Sequence, residues 1–303
     1  MADQDALETI GEAPEFPLIP PLSIDRTAAS IDRSAAARYL ADLSGEGQMA
    51  AFIDFVIAGL LPRDHRAVFW GDRLLTLDKS AGFLREPRFA AAFAAIMTTY
   101  EYDQYRSPQG ISWRLHTLTW AANAALALPS ADFVECGVFK GDMSWVIGQV
   151  TEFAATGRRF HLYDSFAGFD PALSSAGDFP DAPGFYDFAQ RTYSTPGLYE
   201  DVTARFREMP CFCIHPGFLP AALDHAGAPD RIGFLHIDLN SPAAEIACLE
   251  RLFDRVIPGG MIVLDDYGWS LYRAQKQAED AFFAERGYLV LELPTGQGLV
   301  VKR

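Results

Sequence analysis

The sequence predicts an α/β fold: an open, mostly parallel sheet with helices on both faces, closed by an antiparallel last strand and preceded by a helical extension. Three observations predict it. From residue 129 to the C-terminus, short apolar runs alternate with amphipathic ones, the pattern of parallel strands joined by crossover helices. Four of the apolar runs end in an acid: Glu135, Asp164, Asp238 and the pair Asp265-Asp266. The first run leads into a turn carrying Gly137 and Gly141, where the missing Cβ lets a ligand approach the backbone. In a doubly wound sheet the ligand crevice lies outside the carboxyl ends of the strands, so the four acids point to one shared site.

In chain order, residues 1–34 carry prolines, many charges and no sustained periodicity, and read as a flexible extension. Residues 35–128 read as a helical N-terminal cap. Apolar positions three and four apart run from Ala35 to Leu61, and Pro62 stops that pattern. Phe69 to Lys79 fits either a short extended element or a capped turn. Pro87 opens an alanine-rich helix over Arg88 to Tyr100. Trp113 to Leu128 is helical, with Leu115, Leu118, Ala122 and Leu126 on one face, and Pro129 ends it.

Residues 129–303 read as the catalytic domain. The strand at Phe133–Glu135 precedes the glycine turn and a helix over Met143 to Phe153. A strand over Arg159 to Tyr163 ends at Asp164. Ser165 to Pro196, rich in Gly, Pro, Asp and aromatics, reads as a lid or substrate loop. A helix over Leu198 to Glu208 and a strand over Cys211 to His215 follow. Ile232 to Ile237 is the most apolar strand. The helix over Pro242 to Val256 is broken by Pro258-Gly259-Gly260, and Met261 to Leu264 runs into Asp265. After a helix over Leu271 to Arg286, strands Tyr288 to Leu293 and Gly298 to Lys302 are joined too closely to be parallel.

Composition excludes several function classes. The 303 residues are half hydrophobic and carry 25 basic against 40 acidic side chains, a net charge of −15. That balance opposes non-specific binding to nucleic acid or to an anionic membrane. Cys136, Cys211, Cys213 and Cys248 have neither disulfide-framework nor zinc-site spacing and read as thiols in a reducing cytoplasm. The acidic, proline-containing N-terminus resembles neither a signal nor a transit peptide, and no apolar run is long enough for a bilayer. A cytoplasmic protein without membrane or nucleic-acid partners is the expectation, with the N-terminal helices a candidate homo-oligomer interface.

The turn also discriminates between cofactors. A dinucleotide fingerprint needs G-x-G-x-x-G so that pyrophosphate can reach the helix terminus. Here Cys136 and Val138 flank a single glycine, and Glu135 adds negative charge. A nicotinamide-dependent oxidoreductase is therefore disfavoured. A ligand with an ammonium and a sulfonium gains from the nearby acids, which describes S-adenosylmethionine. Asp164, 27 residues beyond Gly137, should end the neighbouring strand and meet ribose hydroxyls. Asp238, Asp265 and Asp266 offer hard oxygen ligands suited to Mg²⁺.

Together these stretches resemble the class I S-adenosylmethionine-dependent methyltransferases with a Rossmann-like sheet, and more narrowly the macrocin/mycinamicin O-methyltransferase family. The resemblance is carried by Phe133 to Gly141, Tyr163-Asp164-Ser165-Phe166-Ala167-Gly168, Gly217 to Pro220, His236-Ile237-Asp238 and Pro258-Gly259-Gly260 leading to Asp265-Asp266-Tyr267-Gly268. It implies Mg²⁺-assisted O-methylation of a sugar hydroxyl on a natural-product small molecule. It places Glu135, Gly137 and Gly141 at the methionine end of the cofactor, Asp164 on the ribose and Ser165 and Phe166 near the adenosine, with Val138, Phe139, Gly217 and Asp238 as further cofactor contacts. It makes Asp238, Asp265 and Asp266 metal ligands. The family's second aspartate, two residues after the first, is replaced here by Asn240, with Ser241 in place of the following tyrosine. Candidate general bases are Asp238 and His236, with His161 and His215 behind them. Arg114, His116 and Trp120 could meet cofactor or substrate, and Tyr267, Trp269 and Gln297 the acceptor. A methyltransferase-fold scaffold without turnover is the rival that Asn240 supports.

Overall fold

The computed structural model describes residues 68–77, 79–97, 109–182 and 184–303. The extension over residues 1–34, the helical pattern of Ala35 to Leu61 and the oligomer interface expected there lie outside the described residues. The chain divides into two compact units, Met1–Trp113 and Arg114–Arg303. The sequence boundary at residue 129 falls later, after a helix whose buried face belongs to the core of the second unit.

In the first unit, strands β1 (Val68–Gly71) and β2 (Leu74–Leu77) form an antiparallel hairpin where the sequence left strand or turn open. Asp72 and Arg73 take φ of 49° and 60°, as a two-residue turn between right-twisted strands requires. Helix α1 (Pro87–Met97) places proline at its first position, where no N–H is missed. It buries Phe89, Phe93 and Ile96, and the Phe69 ring stands edge-on to Trp113 at 4.9 Å.

The second unit is built on a seven-stranded sheet: β3 (Asp132–Cys136), β4 (Phe160–Asp164), β5 (Phe212–Pro216), β6 (Ile232–Ile237), β7 (Val256–Leu264), β8 (Leu291–Glu292) and β9 (Gly298–Val301). Their order is β5-β4-β3-β6-β7-β9-β8. The first five are parallel and the last two pairings antiparallel, as expected. The helices are α2 (Ser112–Leu126), α3 (Asp142–Val150), α4 (Phe185–Tyr193) and α5 (Leu198–Arg205), then α6 (Ala221–Ala226), α7 (Pro242–Leu252) and α8 (Arg273–Glu285). Among the described residues, no helix is long and apolar enough to cross a membrane.

Period-two alternation decides which layer each strand residue meets. Phe133, Phe234 and Val263 pack on Leu118 of α2, Ile147 of α3 and Val202 of α5. Val134, Leu235 and Ile262 pack on Leu249 of α7 and Phe283 of α8. With both faces covered, every residue of β6 is buried, which explains its unbroken apolar run.

Three segments differ from the sequence reading. Ser165 to Pro196 is not an open loop: it contains α4, and its Phe169, Phe179 and Ala189 form a small core with Tyr272. Helix α6 was not foreseen, because its six residues are too few to show a period. Pro258-Gly259-Gly260 lies within β7 as a bulge, since Ile232 pairs with Val256 but Phe234 with Met261. A Cβ on Gly260 would stand 2.6 Å from Val256 Cγ1.

Candidate active site

The glycine turn sits at the carboxyl end of β3, between β4 and β6, where the direction of chain winding reverses. Gly137 has φ +90°, and a Cβ there would lie 1.8 Å from the Asp238 carbonyl oxygen. Glycine was expected there for the sake of a ligand; the group that demands it is the neighbouring loop's backbone. Gly141, at φ +75°, precedes α3, and its missing Cβ makes room for the Phe206 ring. Asp164 locks the turn: its Oδ2 accepts the Val138 and Phe139 N–H groups at 2.6 and 2.8 Å, and its Oδ1 accepts Phe166 N–H at 2.6 Å. The Asp164 carbonyl accepts Gly217 N–H at 2.8 Å, bringing β5's exit loop alongside. Ser165 Oγ donates to the Gly168 carbonyl at 2.6 Å and shapes its own loop.

Three non-glycine residues adopt left-handed backbone here: Phe139 (φ 47°), Phe166 (51°) and Asn240 (56°). They follow β3, β4 and β6. Such conformations cost on the order of 1–3 kcal/mol each and persist where surrounding structure holds them. The strain is gathered at the crevice.

A row of charged groups crosses the sheet at the same end. Glu135 pairs in register with His236, and His236 with Val263, so both continue the inward row of Phe133 and Phe234 toward α2 and α3. Ser144, in the first turn of α3, donates to Glu135 Oε2. His236 Nδ1 lies 2.8 Å from Glu135 Oε1, and its Nε2 3.5 Å from Asp265 Oδ1. Gln297 Nε2 donates to Asp265 Oδ1 at 2.9 Å. Arg114 Nη1, one helical turn before Leu118, donates to Asp265 Oδ2 and, at 3.3 Å, to Asp266 Oδ1. The guanidinium carbon stands 5.5 Å from the Trp269 ring centroid.

This row corrects two expectations. Burial opposes charge on His236, but the Asp265 and Glu135 carboxylates outweigh it and push its pKa up to about 10. Flanked by two carboxylates, it favours the charged form and is fully enclosed, away from any methyl-acceptor oxygen. Glu135 is 1% exposed and both its oxygens accept internal hydrogen bonds, so it braces the turn from behind rather than facing the cofactor. Burial pushes its carboxyl up, against the pull of His236. Asp265 is also buried, yet Arg114 and His236 hold it well below the usual carboxylate range.

Asp238 is the half-buried acid of the group. Burial, then the Asp265 and Asp266 carboxylates, push its carboxyl well above the usual range. Asn240 Nδ2 donates to Asp238 Oδ1 at 3.3 Å and lies 3.5 Å from Tyr193 Oη on α4. Its Oδ1 is buried with no hydrogen-bond partner among the described residues. Glu245 of α7 accepts the Leu239 and Asn240 N–H groups at 3.0 and 3.1 Å and fixes this loop. Ser174 Oγ meets Ser241 Oγ at 2.7 Å, tying the α4 segment down over it. Ser144, Tyr193 and Glu245 were not anticipated, and Ser241 was noted only as a departure from the family's tyrosine.

Other candidates fall away. His161 pairs in register with Val134, on the other face of the sheet, and its Nδ1 meets His215 Nε2 at 3.0 Å. Burial lowers both, His215 to about 4. Tyr267 is buried in the α7–α8 layer and its hydroxyl donates to Asp280. Trp120 is 53% exposed.

His236, Asp238 and Asp265 bring donor atoms within 4.8 Å of one another. As arranged, the expected ligand set of Asp238, Asp265 and Asp266 does not fit a divalent cation. Arg114 engages Asp265 and Asp266, Gln297 takes the second Asp265 oxygen, and an amide N–H rather than an oxygen meets Asp238. A nucleoside cofactor fits better, with the strained loops and the locked glycine turn at a topological switch point.

Residues 113–288, more than half of the chain, match the family model described as macrocin-O-methyltransferase (TylF). The solved structure of the O-methyltransferase NovP aligns with a TM-score of 0.51 at 20% identity, covering 62% of this chain and 79% of its own. CalS11, a calicheamicin methyltransferase, aligns with a TM-score of 0.51 at 17% identity, covering 80% of this chain and 97% of its own. At such identities these two likenesses speak for the fold. No curated protein sequence matches the chain.

Proposed function

The chain belongs to the macrocin O-methyltransferase family and is an S-adenosylmethionine-dependent O-methyltransferase, and on that premise we propose that it methylates a hydroxyl of a sugar or a related natural-product small molecule. Asp238 is the general base in this reading. One observation carries it: Asp238 is half-buried beside Asp265 and Asp266 with its proton affinity raised, next to the unsatisfied Oδ1 of Asn240.

Bound in the crevice, S-adenosylmethionine supplies an electrophilic methyl group. Val138, Phe139 and the glycine turn hold its methionine end, and Asp164, Ser165, Phe166 and Gly217 its nucleoside. The acceptor hydroxyl would give its proton to the Asp238 carboxylate as its oxygen takes the methyl group, the S–CH3 bond breaking to leave S-adenosylhomocysteine as a neutral thioether. A base whose pKa is brought closer to the working pH contributes about 10²–10⁴-fold. Asn240 Oδ1 accepts a hydrogen bond from a second hydroxyl of the acceptor, so the pair reads a vicinal diol. Positioning of the two reactants contributes roughly 7–11 kcal/mol where geometry is good. The α4 segment, with Tyr193 edge-on to Phe139 at 5.5 Å, excludes water from the reacting atoms. Asp265 and Asp266, two of the expected magnesium ligands, are engaged by Arg114.

Macrocin, named in the description of the matching family, supports a natural-product acceptor here. The test is calorimetry with S-adenosylhomocysteine, then labelled-methyl transfer to a panel of sugar nucleotides and glycosylated natural products. Asp164→Ala should lose most cofactor affinity, and Asp238→Asn should keep that affinity but lose turnover. Full turnover by Asp238→Asn sinks the base assignment, and turnover confined to non-sugar acceptors sinks the sugar reading.

A further inference from the structure

We propose that Arg114 is the resident cation of the acidic crevice, taking the position a divalent metal would hold between Asp265 and Asp266. Its place in the reaction rests on the reading of this crevice as the acceptor site. The occupancy itself rests on geometry alone.

A metal between adjacent carboxylates needs open oxygen lone pairs and anionic ligands at close range. In the crevice the lone pairs of both Asp265 oxygens and of Asp266 Oδ1 are already engaged. Arg114 Nη1 meets one oxygen of each acid, Asp265 Oδ2 directly and Asp266 Oδ1 at 3.3 Å. The remaining Asp265 oxygen accepts Gln297 Nε2 at 2.9 Å and has His236 Nε2 at 3.5 Å. The arginine side chain is 10% exposed and Asp265 is fully enclosed, so no rearrangement at the surface would free them. The guanidinium carbon also stands over the Trp269 ring, 5.5 Å from its centroid.

The position beyond Asp238 agrees. A carboxylate there would raise the negative charge to a level that one guanidinium cannot balance. Asn240 removes that charge and turns an N–H donor toward Asp238 Oδ1 at 3.3 Å. Arginine suits the role because its charge is permanent and its guanidinium is more weakly hydrated than a lysine ammonium. With Asp265 and Asp266 held by Arg114, Asp238 is left to the acceptor.

The test is uptake of Mn²⁺ by the full-length chain, read from loss of the free-ion electron paramagnetic resonance signal, beside calorimetry with S-adenosylhomocysteine. Wild type should take up no Mn²⁺ at micromolar concentration, and its S-adenosylhomocysteine affinity should be the same with EDTA or Mg²⁺. Arg114→Ala, checked for folding by circular dichroism, should bind one Mn²⁺ at least about tenfold more tightly than wild type, since it uncovers the carboxylates. Arg114→Lys, which keeps the charge, should stay closer to wild type. Stoichiometric Mn²⁺ uptake by wild type overturns the proposal. So does a folded Arg114→Ala protein that still takes up none. Loss of S-adenosylhomocysteine binding with Mn²⁺ behaviour as expected would fault the cofactor reading and leave this inference standing.

Discussion

Two sets of acids are buried equally deeply on either side of the loop after β6, and they behave in opposite ways. Glu135 and Asp265 belong to a row with His236, Arg114, Ser144 and Gln297, where donors and cations answer the carboxylates. Glu245 and Glu279, on α7 and α8, interact with each other, and neither has an ion pair among the described residues. Burial therefore pushes Glu245 up to about 6 and Glu279 well above the usual range, each raised further by neighbouring acids. Asp265, just as buried, is held low by Arg114 and His236. Burial sets the cost of a charge; the partner decides whether the charge or the proton stays.

His236 is the residue that joins Glu135 to Asp265. Replacing it with alanine leaves Glu135 and Asp265 without the imidazole between them, and breaking a buried pair of this kind costs about 3–5 kcal/mol. Urea denaturation should register that loss, and a cost below about 1 kcal/mol would mean the row is no network.

The glutamate pair should sharpen the contrast through pH. Glu245 binds its proton more tightly folded than unfolded, so its contribution is present below its ordinary value of 4.5 and is lost as pH climbs through about 6. Glu279 extends that loss upward, in the same direction. The slope is about 1.4 kcal/mol per pH unit for each proton released. Asp265, with its lowered pKa, contributes stability that is present above its ordinary 3.8 and fails only as pH falls below it. Thermal melts between pH 5 and 8 should thus show stability falling with pH, and Glu279→Gln should flatten the curve and stabilise the alkaline side. An unchanged slope in that variant would assign the dependence elsewhere.

The surface supplies the smallest effect. Arg251 and Asp224 pair at 3.3 Å but are 40% and 63% exposed. Arg251→Ala should shift stability by no more than about 1 kcal/mol. A larger change would show that exposure is a poor guide to what an ion pair contributes here.

Much of the fold was legible because buried parallel strands leave unmistakable apolar runs. The runs ending at Glu135, Asp164, Asp238 and Asp265 all became sheet strands, and the antiparallel close followed from the short connection through Pro294 to Gln297. Pro258-Gly259-Gly260 was misread because a bulge uses the same residues as a break. Helix α4 was hidden in Ser165 to Pro196 because its buried surface is made by distant partners such as Tyr272, which local periodicity cannot show.

The acids at the strand ends, the turn and its family were all fixed by the order of residues along the chain, since each depends on short-range chemistry. Their roles were not. Glu135 and His236 became a brace, and Asp164 a lock on the turn, only once register set strands side by side that are distant in sequence. Arg114 lies 151 residues before Asp265. What a buried charge does depends on which partner comes within hydrogen-bonding distance, and only the folded sheet sets that distance.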